Sequence, residues 1–292
     1  MIETLITDPW MDYALLDSGH GRKLERYGSI IVDRPEQQAL WVPSAPALWA
    51  SAHAKFSNTP KDEDNDTGQW EFLKKCPEQW SVNWQSLTFE CRLMSFRHMG
   101  LFPEQAAHWA LIVDLIRRAG RPLKILNLFA YTGASSLATV HEGCEIVHLD
   151  ASKKAITWAK DNQKASGLDK AKIRFLCDDA MDFIEREMRR GNKYDAIILD
   201  PPKYGRGPDG QIWSLERDLP QLMEHCKNLL SDNAEFLILT CYALRLSPYT
   251  LHGLLSSILA PRGGNIQSGE LLLRAEQSPH LLPTSLYSLW TK

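Results

Sequence analysis

The chain has 292 residues, long for one domain and comfortable for two, and its 44% hydrophobic and 24% charged residues are the balance of a soluble globular protein. No window approaches the ~18 uninterrupted apolar residues of a membrane span. A net charge of −3 and a pI near 6.3 argue against coating nucleic acid through bulk charge, while leaving room for a local basic patch.

The opening residues, Met1-Ile2-Glu3-Thr4-Leu5-Ile6-Thr7-Asp8, lack a basic stretch followed by an apolar one, so no signal peptide is expected and the cytoplasm is the default compartment. Six of the ten tryptophans, at 10, 41, 49, 70, 80 and 84, fall among short β-like runs such as Ser29-Ile30-Ile31-Val32-Asp33 and turn formers at 17–21, 33–35 and 43–46. The acidic run 61–68 reads as a mobile loop, and 80–84 and 87–93 as two more strands. A small β-rich domain over 1–98 is expected. Its tryptophans serve packing first and stacking on bases second. The basic patches 21–26 and 203–206 are read first as solvated faces.

From Pro103 the rhythm becomes alternating helix and strand: helix 104–119, strand 124–129, helix 134–142, strand 145–150, helix 153–166, strand 172–177, helix 180–190, strand 194–199, helix 215–230 and strand 235–241. This is the pattern of a parallel, doubly wound α/β sheet with right-handed crossovers. The runs 269–275 and 285–290 are joined by only nine residues, too few for a helical crossover, so an antiparallel pair is expected there. The six cysteines are scattered without a Cys-x-x-Cys pair, and the nine histidines are not spaced with them; reduced thiols and no metal are expected.

Four strand ends carry the chemistry. Asn127-Leu128-Phe129-Ala130-Tyr131-Thr132-Gly133-Ala134-Ser135 forms the first strand-to-helix turn, where a glycine lets backbone approach a ligand and exposes free N–H groups. Asp150 ends the second strand, placed to accept both hydroxyls of a ribose, with Ala151 and Ser152 beside it. Asp178-Asp179-Ala180 follows the third strand and suits an adenine amino group. The dinucleotide fingerprint needs three glycines and only Gly133 is present; a Walker lysine loop is also missing. A cofactor without phosphates, S-adenosylmethionine (SAM), is therefore expected, against an ordinary capped α/β turn. At the fourth end, Asp200-Pro201-Pro202-Lys203 closes an apolar strand abruptly, since neither proline donates to a ladder. It holds a carboxylate and carbonyls against a flat polar substrate.

On these residues the catalytic half resembles class I SAM-dependent methyltransferases, and more narrowly the bacterial 23S rRNA large-subunit methyltransferase I family, which makes 5-methylcytosine. The resemblance covers most of the chain. It rests on the stretches at 16–28, 100–105, 127–133, 200–203 and 282–287, of which the first two are the specific ones. It implies a Rossmann-like, seven-stranded sheet with an antiparallel terminal strand over 99–292, SAM as cofactor and RNA as substrate. It also implies that Phe102 and Gln105 sit beside the cofactor, although Phe102-Pro103 equally reads as a helix start. That family carries a further N-terminal RNA-binding module of the pseudouridine synthase and archaeosine transglycosylase type. The present chain begins too close to 16–28 to hold one, leaving RNA targeting to the tryptophan-rich domain.

Cys241 ends the strand expected beside Asp200. A thiolate there would add to carbon 6 of cytosine and make carbon 5 nucleophilic. A free cysteine at a strand end is equally a small hydrophobe, and Thr240-Cys241-Tyr242-Ala243 lacks the hydroxyl residue the family places after its cysteine. Lys203, Tyr204, Arg206 and Trp213 are candidates to receive an extruded base. Three readings stand: methylation of RNA at cytosine carbon 5; methylation of an exocyclic amine or a non-nucleic substrate; and a non-catalytic SAM- or RNA-binding protein. Monomer and homodimer both stay open.

Overall fold

The structure, a computed structural model, describes residues 2–58, 67–242 and 246–292; most of the acidic run at 61–68, and Ala243, lie outside the described residues. The chain divides into two compact units. One comprises Ile6–Ala106 and Leu272–Thr284, the other Met1–Leu5, Ala107–Leu271 and Ser285–Lys292.

Strand β1 (Ile2–Thr7) is followed by β2 (Tyr13–Gly19), β3 (Arg22–Tyr27), β4 (Ile30–Pro35), β5 (Ala54–Asn58) and β6 (Gly68–Phe72), then by the hairpin β7 (Gln79–Trp84) and β8 (Leu87–Arg92). Strands β2 to β6 form one sheet in chain order. His20 (φ 52°) and Gly21 (φ 72°) make the two-residue turn between β2 and β3, and two positive φ values in succession match the twist of a hairpin. Along β8, Leu87, Phe89 and Cys91 alternate inward, as a half-buried strand requires.

The basic stretch 21–26 is not a solvated face. Lys23 is buried between Glu25 and Glu36, Arg22 pairs with Asp33 at 2.5 Å, and Arg26 donates to the Met11 carbonyl at 2.8 Å. The tryptophans are likewise engaged: the indoles of the half-buried Trp10, Trp41, Trp49, Trp70 and Trp80 each donate a hydrogen bond within the unit, and Trp84 is buried.

The other unit carries α1 (Ala106–Ala119), β9 (Lys124–Leu128), α2 (Ala134–His141), β10 (Glu145–Asp150), α3 (Lys153–Ala165), β11 (Ile173–Cys177), α4 (Ala180–Arg189) and β12 (Ala196–Leu199). A small hairpin, β13 (Tyr204–Arg206) with β14 (Ile212–Ser214), precedes α5 (Leu215–Leu229), β15 (Phe236–Tyr242), α6 (Pro248–Leu259), β16 (Asn265–Arg274) and β17 (Leu281–Thr291). The main sheet runs in the order β1-β16-β17-β15-β12-β9-β10-β11, parallel from β15 to β11 with β17 antiparallel to β15. The seven expected strands are all present, and β1 adds an eighth at the edge.

One face of the sheet is covered by α4, α5 and α6, whose leucines, Phe183, Ile184 and Met223 pack on Leu126, Leu149, Leu199 and Leu239. Helix α6 starts at the Ser247 cap with Pro248 in its first turn, a start signal that falls where no helix is expected from the alternation. Strand order reverses between β9 and β12, so the carboxyl ends of β9, β10 and β12 flank the crevice where open α/β sheets take ligands. No helix of the described residues is long and apolar enough to cross a membrane.

Candidate active site

The turn from β9 into α2 is held in an uncommon backbone. Phe129 (φ 55°), Tyr131 (φ 49°) and Gly133 (φ 91°) all lie in the left-handed region. At Phe and Tyr this costs about 1–2 kcal/mol each, so the surroundings must hold it. At Gly133, which caps α2, an added Cβ would sit 3.2 Å from the Ala159 Cβ and 3.4 Å from the His148 Cε1. A side chain there would fill the cradle under the turn. Ala134 and Ser135 are the half-buried first residues of α2, while Ala130 and Thr132 are buried. Asn127 is buried too, and its amide donates to Ser136 Oγ at 3.0 Å.

Asp150, at the end of β10, is oriented by main chain on both oxygens: Tyr131 N–H donates to Oδ2 and Ser152 N–H to Oδ1, each at 2.8 Å. Each carboxylate oxygen has two acceptor sites, so one remains on each for a pair of vicinal hydroxyls. Burial raises the Asp150 carboxyl above its ordinary value, against the lowering effect of the Ser152 and Tyr131 N–H groups. Ser152 caps α3 through its hydroxyl, which accepts from Ala155 N–H, and the Ala151 carbonyl accepts from Cys177 Sγ at 3.4 Å.

The Asp178-Asp179 pair is already engaged. Asp178 pairs with Arg186 and accepts the Asp179 N–H at 2.9 Å. Asp179 caps α4, its Oδ1 accepting from Met181 and Asp182 N–H, and Ala180 is the buried first residue of that helix. Arg186, two helical turns on from Asp178, has no signal in a chain read strand end by strand end.

Asp200 follows β12 directly, and its N–H reaches the Leu128 carbonyl of β9 at 3.4 Å. Pro201 is buried; Pro202 and Lys203 are exposed. Trp213 is not available to a base. It is buried, its ring lies 5.2 Å from that of Phe129, and its indole donates to the Pro202 carbonyl at 2.7 Å. Tyr204 and Arg206 are exposed on the β13–β14 hairpin, where an open glycine-rich loop is the reading from sequence.

Cys241 lies in β15, two residues beyond the Leu239 that pairs with Leu199 of β12. Only 1% of it is exposed, and it belongs to the apolar cluster beneath the sheet. Burial pushes its thiol well up, and the nearby Asp200 charge adds to the shift. Cys226 is core, and Cys177 is half-buried. Phe102 and Gln105 belong to the other unit; Phe102 precedes the short 3₁₀ turn Pro103–Gln105, with its ring 5.9 Å from that of His98.

The strand ends of the sheet unit thus supply a glycine cradle, a two-oxygen acceptor and no phosphate-binding glycine series, a set that fits SAM. The family model for S-adenosylmethionine-dependent methyltransferases matches residues 36–242, more than half of the chain. The chain belongs to that family. A solved SAM-dependent methyltransferase from Agrobacterium tumefaciens is similar over 99% of this chain and 93% of that chain, with a TM-score of 0.94 and 44% identity. A methyltransferase structure complexed with SAH covers 96% of this chain and 75% of that chain, with a TM-score of 0.74; at 17% identity it speaks for the fold. Two curated relatives act on ribosomal RNA by name. The large subunit methyltransferase K/L of Shewanella frigidimarina is 30% identical over 51% of this chain and 20% of that protein. The large subunit methyltransferase I of Escherichia coli is 27% identical over 59% of this chain and 43% of that protein. The chain spans less than half the length of these curated relatives.

Proposed function

We propose that this methyltransferase modifies a base of RNA, with the acceptor held at the end of β12. The observation that carries the reading is the placement of Asp200 directly after β12 at the reversal of strand order, on the same crevice as Asp150. Ribosomal RNA is the substrate class that the names of the curated relatives support. SAM supplies an electrophilic methyl group on a sulfonium. Asp150 would accept the ribose hydroxyls, and the turn at 127–135 would line the amino-acid portion. Substrate selection is assigned to the N-terminal β-rich third, 1–98, and catalysis to 99–292.

Two acceptor atoms compete. Cytosine carbon 5 needs a thiolate, and Cys241 lies on β15, the strand paired with the β12 that leads into Asp200. Its burial among leucines, with the Asp200 charge beside it, keeps the thiol protonated at physiological pH, where it is a poor nucleophile. That observation favours an exocyclic amine, whose N–H Asp200 and the Pro201 carbonyl would accept and whose proton Asp200 would take up.

Transfer of tritiated methyl groups to total RNA from a strain lacking the protein, followed by nucleoside analysis, tests both levels. The amine reading expects an N-methylated base, with Cys241→Ala turning over within about twofold of wild type, because no covalent step depends on the thiol. Label in 5-methylcytosine, lost in Cys241→Ala, would reverse the choice. No label in RNA at all would end the RNA reading.

A further inference from the structure

We propose that Ser136, His148 and Asn162 are positioning residues that fix the left-handed turn at 129–133 in its cofactor-receiving shape. The inference rests on reading that turn as the SAM site.

Phe129 and Tyr131 are not residues that favour positive φ, so the conformation is imposed from outside the turn. Three groups from three elements impose it. Under the turn, Asn127 of β9 donates its amide to Ser136 Oγ of α2 at 3.0 Å, and Ser136 Oγ meets His148 Nδ1 of β10 at 2.8 Å. A hydroxyl has one proton to give, and with the amide as donor on one side that proton goes to Nδ1. His148 therefore carries its own proton on Nε2, a buried atom with no hydrogen-bond partner among the described residues, and the Tyr131 main chain acts on the ring as a whole. Across the turn, Asn162 of α3 donates to the Thr132 carbonyl at 2.9 Å. Above it, Asp150 takes the Tyr131 N–H.

Ser136, His148 and Asn162 have no exposed surface, so they act on a ligand only through the turn they hold. The ring of His148 also walls the cradle at Gly133, where an added Cβ would come within 3.4 Å of Cε1. Burial lowers the His148 ring to about 3, so it stays neutral across physiological pH and the hydrogen-bond direction does not reverse.

The test is SAM and SAH titration calorimetry on Ser136→Ala, His148→Leu and His148→Asn. Losing the Ser136–His148 hydrogen bond, which ties α2 to β10 beside the turn, should weaken both ligands about tenfold in Ser136→Ala and His148→Leu. His148→Asn keeps a polar atom where Nδ1 meets Ser136 and should return affinity to within about twofold of wild type. Turnover at saturating SAM should stay within about twofold in all three, since none touches the acceptor. Nitrogen NMR of the wild-type imidazole should report the Nε2-protonated tautomer; the Nδ1-protonated form would overturn the inference even if a variant fails to fold.

Variants that bind SAM and SAH as wild type does, or a His148→Asn as weak as His148→Leu, would also overturn it. Asp150→Ala separates the two levels. Weak binding in Asp150→Ala with tight binding in Ser136→Ala sinks the positioning role alone. Unchanged binding in Asp150→Ala sinks the site itself.

Discussion

The two units bury polar groups by opposite means. The N-terminal unit buries charge: Asp17, Lys23, Glu25, Asp33, Arg34, Glu36 and Glu104 are all buried. Glu25 takes Arg34 through two donors, at 2.9 and 2.5 Å, and the Tyr13 hydroxyl at 2.9 Å. Asp17 accepts from the Ser18, Ser44 and Ala45 N–H groups and from the Trp49 indole. The sheet unit, among the described residues, buries one charged side chain, Glu187, and otherwise neutral groups such as Asn127, Thr132, Ser136, His148 and Asn162. A buried charge that loses its partner is costly, so ionised pairs fix one arrangement of strands. A neutral network loses less when one bond opens. The ionised solution sits in the β-rich unit, and the neutral one lies beside the turn proposed to receive the cofactor.

The sharpest way to break this contrast is Arg34→Ala, which leaves the Glu25 carboxylate buried beside Tyr13 and Tyr27. We expect a loss of about 3–5 kcal/mol in denaturant unfolding, the range for one partner removed from a buried pair. The pH dependence follows in sign. Burial raises the Glu25 carboxyl, but Arg34 and Lys23 outweigh it and the net shift is downward. Its contribution is therefore complete above the ordinary glutamate value and disappears as pH falls through the lower folded value. Arg34→Ala should remove that acid-side loss along with the stability. A variant as stable as wild type would mean the pair is dispensable.

The next effect lies in the sheet unit and concerns binding. Asp150→Ala removes two acceptors from a charged group, each hydrogen bond being worth about 1.5–3 kcal/mol, so SAM affinity should fall at least a hundredfold in calorimetry. The wild-type affinity should also decline on acidification at a pH above that of an ordinary aspartate. Asp150 is raised by burial, and protonation takes away the acceptors it offers. An affinity flat down to the ordinary aspartate range would place the ribose elsewhere.

Much of this unit is legible in the sequence, because strand-end chemistry is local. The strand 145–150 is read with the same bounds as β10, and Asp150 at its end meets the main chain of the Gly133-containing turn through the Tyr131 N–H. What escapes is whatever depends on a partner that only the fold brings into contact. Arg186 reaches back to Asp178 from within α4, and Trp213 folds back onto Pro202. His148 reads as one more residue of an apolar strand until Ser136 is placed against it. The N-terminal unit is less legible for the same reason. Arg22, Lys23 and Arg26 look like a solvated basic patch, and only the fold turns two of them toward buried or half-buried carboxylates. Strand β1 escapes because an exposed edge strand buries too little to show strong alternation.

The smallest effect tests whether the acceptor side of the site is held independently of the cofactor side. Trp213 touches both: its ring packs on Phe129 and its N–H holds the Pro202 carbonyl. Trp213→Phe keeps an aromatic ring against Phe129 and removes only the donor. The Pro202 carbonyl then loses a neutral hydrogen bond, worth about 1 kcal/mol, or about fivefold in an equilibrium constant. If that carbonyl helps hold the acceptor, the KM for RNA should rise about fivefold while SAM affinity stays within about twofold. The reverse outcome, weaker SAM with RNA unchanged, would assign Trp213 to the support of the cofactor turn. It would then join Ser136, His148 and Asn162 as a fourth prop of the turn at 129–133, and the wall facing the substrate would rest on Pro201 and Asp200 alone.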